Sequence, residues 1–241
     1  MRALSARDIV RVWEWGQNKH PVDRALLLLA LAQPELTSAQ VASLTVGQRN
    51  SRLLTLREKT LGPTLQGFAH CSQCRTPLEF SAEVGAIRLP EPVAQEYSLA
   101  VDGAQVRFRL PNSLDLAAIV GYSEVEAARC LLIEKCVLLA QRDGQEIALS
   151  ALPDDMIPAL AEAVSACDPQ AEMRFNLECA ACGHTWSALF DIVAFFWIEI
   201  NALAKRLLQD VHTLALAYGW SEAEILAMSA TRRQFYLELA S

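Results

Sequence analysis

Two CxxC motifs constrain this chain more than any other feature of its sequence. They are CSQC at residues 71–74 and CAAC at residues 179–182, with about a hundred residues between them. A CxxC turn lets two thiolates approach one ion at about 2.3 Å, and two such turns complete a closed tetrahedral zinc site. The spacing therefore predicts one structural Zn²⁺, provided that the fold brings the turns together. The predicted ligands are Cys71, Cys74, Cys179 and Cys182.

Other interpretations of the cysteines remain open. The four could be thiols without a metal, and either neighbouring histidine, His70 or His184, could replace one of them as a ligand. A thioredoxin-like redox centre needs its CxxC at the amino end of a helix, and extended segments flank both motifs here. Four thiolates also leave no coordination position for water, which disfavours catalytic zinc. The other cysteines lie in apolar helical segments and are predicted to be small core residues: Cys130, Cys136 and Cys167.

Composition disfavours two classes of function. The 241 residues carry a formal charge of -7, and such an acidic surface repels a phosphate backbone. Basic residues near the C-terminus are interspersed with acidic ones, which favours a solvated helix surface over a nucleic-acid patch; they are Arg206, His212, Arg232 and Arg233. Nucleotide-binding, nucleophile-elbow and zinc-protease motifs are missing from the sequence, so we expect a protein that is not an enzyme.

The sequence also predicts where the protein resides. Asp8 and Glu14 interrupt the N-terminal region where an export signal would need an apolar run. The two most apolar runs, residues 25–32 and 192–198, are much shorter than the roughly 20 residues of a membrane-spanning helix. We therefore expect a cytoplasmic protein without a membrane span, whether or not it is later retained in an assembled particle.

Local patterns predict both helices and strands. Apolar residues recur at helical intervals from Ala6 to Gly62, and two alternating runs flank Asp102-Gly103 as in a β-hairpin. Ser123 and Glu126 have the spacing of a capping box and predict a helix that runs to about Ala140. Short extended segments border the second CxxC motif, and the chain is again helical from about residue 191 onward.

These patterns predict an α+β fold that is mainly helical. A discontinuous, four-cysteine element resembling a zinc ribbon would carry a β-hairpin and helices as an insertion between N- and C-terminal helical segments. The predicted segments are residues 1–67, the split ribbon-like region 68–190 and residues 191–241, and we expect the first and last to form one compact unit.

Four stretches of the chain carry a resemblance to a known family. They are FRLPNSLDLAAI at 108–119, LECAACGHTW at 177–186, FDIVAFFWIEI at 190–200 and the ending DVHTLALAYGWSEAEILAMSATRRQFYLEL at 210–239. Together they resemble the baseplate hub assembly chaperones of T-even-type phages. They are still more similar to the related proteins encoded in gene clusters for contractile, phage-tail-like injection particles.

The resemblance implies a function in assembly rather than catalysis. The partners of the chain would be baseplate hub, spike or tape-measure proteins of a contractile particle. The resemblance leaves open whether the chain is a transient chaperone or a permanent structural subunit. The residues alone leave a second function open, that of a zinc-ribbon adaptor acting on nucleic acid or transcription.

Overall fold

The structure, a computed structural model, describes residues 1–91, 94–149, 152–153 and 155–240. It confirms the α+β class, because just over half of the chain is helical and the strands form small antiparallel sheets. None of the helices in these described ranges combines the length and apolarity that a bilayer crossing requires.

The first quarter of the chain is helical, as predicted. Three of its four helices begin with a capping box, at Ser5, Thr37 and Thr45, in which side chain and backbone satisfy each other's free groups. The fourth helix ends at Leu61, and Gly62 caps it with a φ of +97°, which glycine adopts at low steric cost. The helices are α1 (Ala6–Gly16), α2 (Pro21–Ala32), α3 (Ser38–Ala42) and α4 (Val46–Leu61).

Two β-hairpins contain the CxxC motifs in their turns. The first hairpin follows α4 and consists of β1 (Thr64–His70) and β2 (Pro77–Glu83), after which α5 (Val84–Ile87) forms a single turn. A central layer then intervenes before the second hairpin. Its elements are β3 (Tyr97–Val101), β4 (Ala104–Phe108), α6 (Ser113–Ile119), α7 (Val125–Cys136), β5 (Val137–Arg142), β6 (Gln145–Glu146) and α8 (Met156–Cys167).

The central layer confirms one local prediction and corrects another. Asp102 and Gly103 turn the chain between β3 and β4, as the alternating runs predict. The predicted capping box at Ser123 is wrong, because α7 begins after Glu124 without a side-chain cap. The helix also ends at Cys136 rather than near residue 140. Residues 137–142 instead pair with β4, since that pairing buries Ala140 within the sheet.

The second hairpin leads into the C-terminal helices. A 3₁₀ turn (Pro169–Ala171) precedes β7 (Met173–Glu178) and β8 (Thr185–Phe190), which pair antiparallel. Asp191 then caps the longest helix of the described chain by accepting the amide N–H groups of Val193 and Ala194. The helices are α9 (Ile192–Tyr218), α10 (Glu222–Ala227) and α11 (Ala230–Ala240).

The described chain has two separate apolar cores. The larger one, the helical core, joins α1, α2 and α4 to α9 and α10, and its fully buried members include Leu28, Leu54 and Phe196. The smaller one lies in the central layer, where α7 and α8 cover the sheet around Phe108 and Met156. Leu65 of the first hairpin belongs to the helical core, and so do Met173 and Phe190 of the second. Both hairpins are therefore anchored on the helical core by their strand ends.

Candidate metal centre

The turn of the first hairpin, residues 71–76, is held by two backbone hydrogen bonds. The amide of Arg75 donates to the carbonyl of Cys71 at 3.0 Å, and the amide of Cys71 donates to the carbonyl of Thr76 at 3.0 Å. Arg75 adopts a φ of +63°, an uncommon conformation for a residue with a side chain. This turn places Cys71 in the interior and leaves Cys74 exposed.

The turn of the second hairpin, residues 179–184, repeats this arrangement. The amide of Gly183 donates to the carbonyl of Cys179 at 2.8 Å, and the amide of Cys179 donates to the carbonyl of His184 at 2.9 Å. Gly183 has a φ of +70°, at the position that Arg75 occupies in the first turn. Since the same two bonds recur at the same offsets, the two CxxC turns are structural copies of each other.

The four predicted cysteines converge. Their sulfur atoms all lie within 4.8 Å of one another, although about a hundred residues separate the two motifs. Two close contacts cross between the turns, at 3.7 Å from Cys71 to Cys182 and 3.6 Å from Cys74 to Cys179. Each turn contributes one buried and one exposed cysteine. The arrangement is compatible with a metal site that clamps one hairpin to the other.

The surroundings give the sulfurs unequal acidities. The hydroxyl of Thr76, followed by its amide, lowers the pKa of Cys74 to about 6 by stabilising the thiolate. The amide of His184 acts in the same direction on Cys182, but the neighbouring sulfurs together outweigh it and raise that pKa to about 12. A bound cation would offset the repulsion between neighbouring thiolates, because it stabilises all of them together.

The neighbouring histidines lie outside the sulfur cluster. A ring nitrogen of His184 lies 3.0 Å from the hydroxyl oxygen of Ser72, so a hydrogen bond joins the two CxxC turns directly. The same ring stacks on Trp186 with its centroid 5.9 Å away. His70 is exposed and meets the ring of Phe68 edge-on. The group of possible metal ligands in the described chain thus consists of the four cysteines alone.

The other three cysteines lie elsewhere and only partly match their prediction. Cys136 is buried at the end of α7, and this burial raises its pKa to about 11. Cys130 is exposed on α7 and Cys167 is half-buried at the end of α8, so neither is a core residue. The sequence around these cysteines is largely apolar, so it does not show which face of each helix is exposed to solvent.

Aromatic contacts that the sequence analysis missed align the two hairpins. The rings of Phe80 in β2 and Phe175 in β7 lie 5.2 Å apart, and Phe175 contacts Phe190 at 5.0 Å. Gly67 leaves room for the Phe80 ring because it has no side chain, and a Cβ atom at this position would lie 2.2 Å from that ring. Each of these phenylalanines lies in a strand whose side chains alternate between two faces, but that local pattern does not show which strands pack against each other.

The positive φ of Gly183 leads to a testable expectation. Replacing Gly183 with alanine forces a Cβ atom into a left-handed backbone conformation, which costs about 1 to 2 kcal/mol. The matched control is Gly85→Ala, because that glycine lies in α5 with open space around it. We expect chemical denaturation to show a loss of stability for Gly183→Ala and little change or a small gain for Gly85→Ala. Equal stability of the two variants would contradict the geometry of the turn.

Comparison with known proteins identifies the family. A protein-family model described as T4 bacteriophage base plate protein matches residues 32–197, a range that contains both CxxC turns and the whole central layer. The ending at 210–239, which contributes to the resemblance described above, lies outside this range. No curated protein and no solved structure shows significant similarity to the chain. Because the match covers well over half of the 241 residues, the chain belongs to the family of T4 bacteriophage base plate proteins.

Proposed function

We propose that this chain is a non-catalytic, chaperone-like assembly factor for the baseplate hub of a contractile phage tail or phage-tail-like injection system. The observation that carries the proposal is the family match over residues 32–197. The resemblance of the chain to hub assembly chaperones and to injection-system proteins supports the narrower function. Its partners are then hub, spike or tape-measure proteins, met in the cytoplasm where such particles are built.

The exposed surface suits a protein that binds other proteins. Leu216 on α9 and Phe235 and Leu239 on α11 are large apolar side chains that remain more than half exposed. Apolar groups of this size at a surface are candidates for contact with a partner. They lie on the C-terminal helices, outside the hairpins and their cysteines.

A structural zinc ion is the second part of the proposal. Tetrahedral coordination with Zn–S bonds of about 2.3 Å requires sulfur atoms about 3.8 Å apart. The contacts of 3.6 and 3.7 Å between the turns are close to this value, and the largest separation in the group is below 4.8 Å. A four-thiolate site is closed to water, so zinc bound by Cys71, Cys74, Cys179 and Cys182 would staple the hairpins and perform no catalysis.

The location of the cysteines disfavours a redox function. Both CxxC motifs lie in hairpin turns rather than at the first turn of a helix, where the helix dipole would activate one thiol. We therefore propose that the chain is not an enzyme and that its cysteines support the scaffold.

A nucleic-acid adaptor is the weaker alternative. Two of the C-terminal basic residues are already engaged, since Arg233 is nearly buried and bonds to Asp210 at 3.0 Å, and Arg232 lies over the ring of Tyr236. Phosphate contacts are strongest at low ionic strength. Binding to DNA or RNA in low salt would favour this alternative, and its absence there would remove it.

Coexpression with neighbouring hub, spike and tape-measure proteins tests the proposed function. We expect the tagged chain to capture at least one of them through affinity and size-exclusion steps, because an assembly factor must form a complex during construction. The matched bait is the tagged Cys74→Ser/Cys182→Ser variant, which reports whether the stapled hairpins are needed. Failure of the wild-type chain to capture any baseplate component would contradict the proposal. Finding the chain itself in purified, finished particles would favour a permanent subunit over a transient chaperone.

A further inference from the structure

Strand β3 lies at one edge of the sheet in the central layer. Within residues 1–91, 94–149, 152–153 and 155–240, the only strand that pairs with it is β4. Edge strands of natural proteins are commonly protected from further pairing by charged residues, proline or a bulge. The sequence of β3, YSLAV at 97–101, contains no charged residue and no proline, and its register with β4 is regular. In the described chain, its outer side is therefore open to another strand.

The register of the hairpin identifies the backbone groups that point outward. The turn between β3 and β4 has two residues, both with positive φ, so the residues that flank it face each other as a hydrogen-bonded pair. Such pairs alternate along an antiparallel ladder, so every second residue of β3, counted back from Val101, bonds to β4. Ser98 and Ala100 lie between these positions, and their N–H and C=O groups point away from β4. None of the described residues bonds to these outward groups.

The apolar side chains at this edge are only partly covered. Tyr97, Leu99 and Val101 pack against the core of the central layer but remain half-buried. Their cross-strand neighbours in β4 are at most 2% exposed, because β4 has a strand on each side. These neighbours are Phe108, Val106 and Ala104. A strand added beside β3 would cover the remaining apolar surface, which favours its binding.

The surface around this edge is acidic. From residue 96 to residue 167, nine acidic residues but only four basic ones are exposed in the described chain. Glu96 and Asp102 directly flank β3, and both are exposed. Arg107 on β4 pairs with Glu96, but the pair is long, at 3.8 Å, and both side chains are more than half exposed. Basic residues at the ends of an added strand would therefore be favoured, because opposite charges on neighbouring strands attract.

A second copy of this chain suits the edge less well than a different protein. Two β3 strands that pair antiparallel around their central residue, Leu99, would place Glu96 of each copy opposite Asp102 of the other. Like charges directly opposite each other destabilise a pair of strands. The charge pattern thus favours a strand with basic ends over the identical strand.

We propose that the open edge of β3 binds an extended segment of a partner protein, which pairs antiparallel as an additional strand. Its backbone bonds to Ser98 and Ala100, its alternate apolar side chains cover the half-buried residues of β3, and its basic ends face Glu96 and Asp102. The inference rests on the proposed function and deepens it, because the segment would belong to a baseplate protein.

Hydrogen exchange of the free protein tests whether the edge is open. Amides that bond within a sheet exchange slowly, so we expect the amides of Leu99 and Val101 to be protected. The amides of Ser98 and Ala100 should exchange at least roughly tenfold faster, since they face solvent. Equal exchange at all four positions would contradict the open edge and overturn the inference.

The binding test uses an acetylated, amidated peptide of nine residues, in which threonine and valine alternate between two terminal lysines. We expect it to shift the NMR signals of the Ser98 and Ala100 amides of the full-length protein and to slow their exchange. N-methylation of its threonines removes the donors that face β3, and replacement of its lysines by glutamate reverses the charge of its ends. Each change should weaken binding at least roughly tenfold. Equal binding of all three peptides, or no binding of the first, would overturn the inference.

Two substitutions at Ala100 locate the binding on the protein. Ala100→Pro removes the outward N–H but leaves the bonds of β3 to β4, and proline is tolerated at such edge positions. It should weaken binding of the lysine peptide at least roughly tenfold, whereas Ala100→Thr keeps the N–H and should bind as the wild type does. Full binding by Ala100→Pro would contradict the inference.

Sedimentation and capture experiments separate the remaining outcomes. A dimer of the wild-type chain that Ala100→Pro abolishes would identify a second copy as the occupant and overturn the inference. Loss of a captured baseplate protein in Ala100→Pro, but not in Ala100→Thr, is the result that the inference predicts. Undiminished capture by Ala100→Pro would overturn the inference and leave the proposed function standing.

Discussion

A Cys74→Ser/Cys182→Ser double variant should lose its bound metal and much of its resistance to heat. We expect about one zinc ion per wild-type chain, and essentially none in the variant, because one ligand is removed from each CxxC turn. A ligand that binds only the folded state stabilises it by mass action, and binding this tight would raise the thermal midpoint by about 10 °C or more. Elemental analysis and thermal unfolding of purified protein measure both effects.

The matched control for this variant is Cys130→Ser. Cys130 is an exposed cysteine on α7 and lies outside the sulfur cluster, so its replacement should leave metal content and melting unchanged. A wild-type chain that is stable without metal would refute the zinc site. So would a double variant that keeps the full metal content. Acidification provides a further check, since protons compete for the thiolates and should release the ion as pH falls.

Replacing Arg57 with methionine should destabilise the fold by about 3 to 5 kcal/mol. Its side chain is 5% exposed and forms two hydrogen bonds to Glu199 on α9, at 3.0 and 2.6 Å. Its Nη1 group also donates to the carbonyls of Gly62 and Thr64, where α4 passes into β1. The substitution leaves a partly buried carboxylate and two carbonyls without their donor. Urea denaturation measures the loss.

Arg88→Met is the comparison for the Arg57 variant. Arg88 follows α5 and pairs at 3.1 Å with Glu58 of α4, the helix that also contains Arg57. About a third of each of these two side chains is exposed. Such surface pairs contribute less than about 1 kcal/mol. Similar losses for the two variants would show that Arg57 does not join the helical core to the first hairpin.

The two cysteine turns could be predicted from sequence because a CxxC turn is a local structure. Residues 71–76 and 179–184 each close on themselves through bonds spanning a few residues, so each motif indicates its own turn. The meeting of the two turns is a separate event, and the aromatic contact of Phe80 with Phe175 that accompanies it joins residues far apart in the chain. Nothing in either local pattern indicates that contact.

Long-range pairing also explains the errors. The segment after Cys136 reads as a continuing helix, yet it forms β5 because β4 offers it a partner about thirty residues earlier. The bonds of Arg57 to Glu199 and of Asp168 to Gly47 span 142 and 121 residues. Charged residues of this kind look like ordinary surface positions in the sequence.

Deletion of the gene from a cell that builds the contractile particle tests the central claim most directly. The measurement is the number of complete, sheathed particles seen by electron microscopy, with the wild-type chain supplied in trans as the control. An assembly factor for the hub predicts that complete particles disappear on deletion and return with the supplied chain. An undiminished yield of complete particles without this protein would contradict the account.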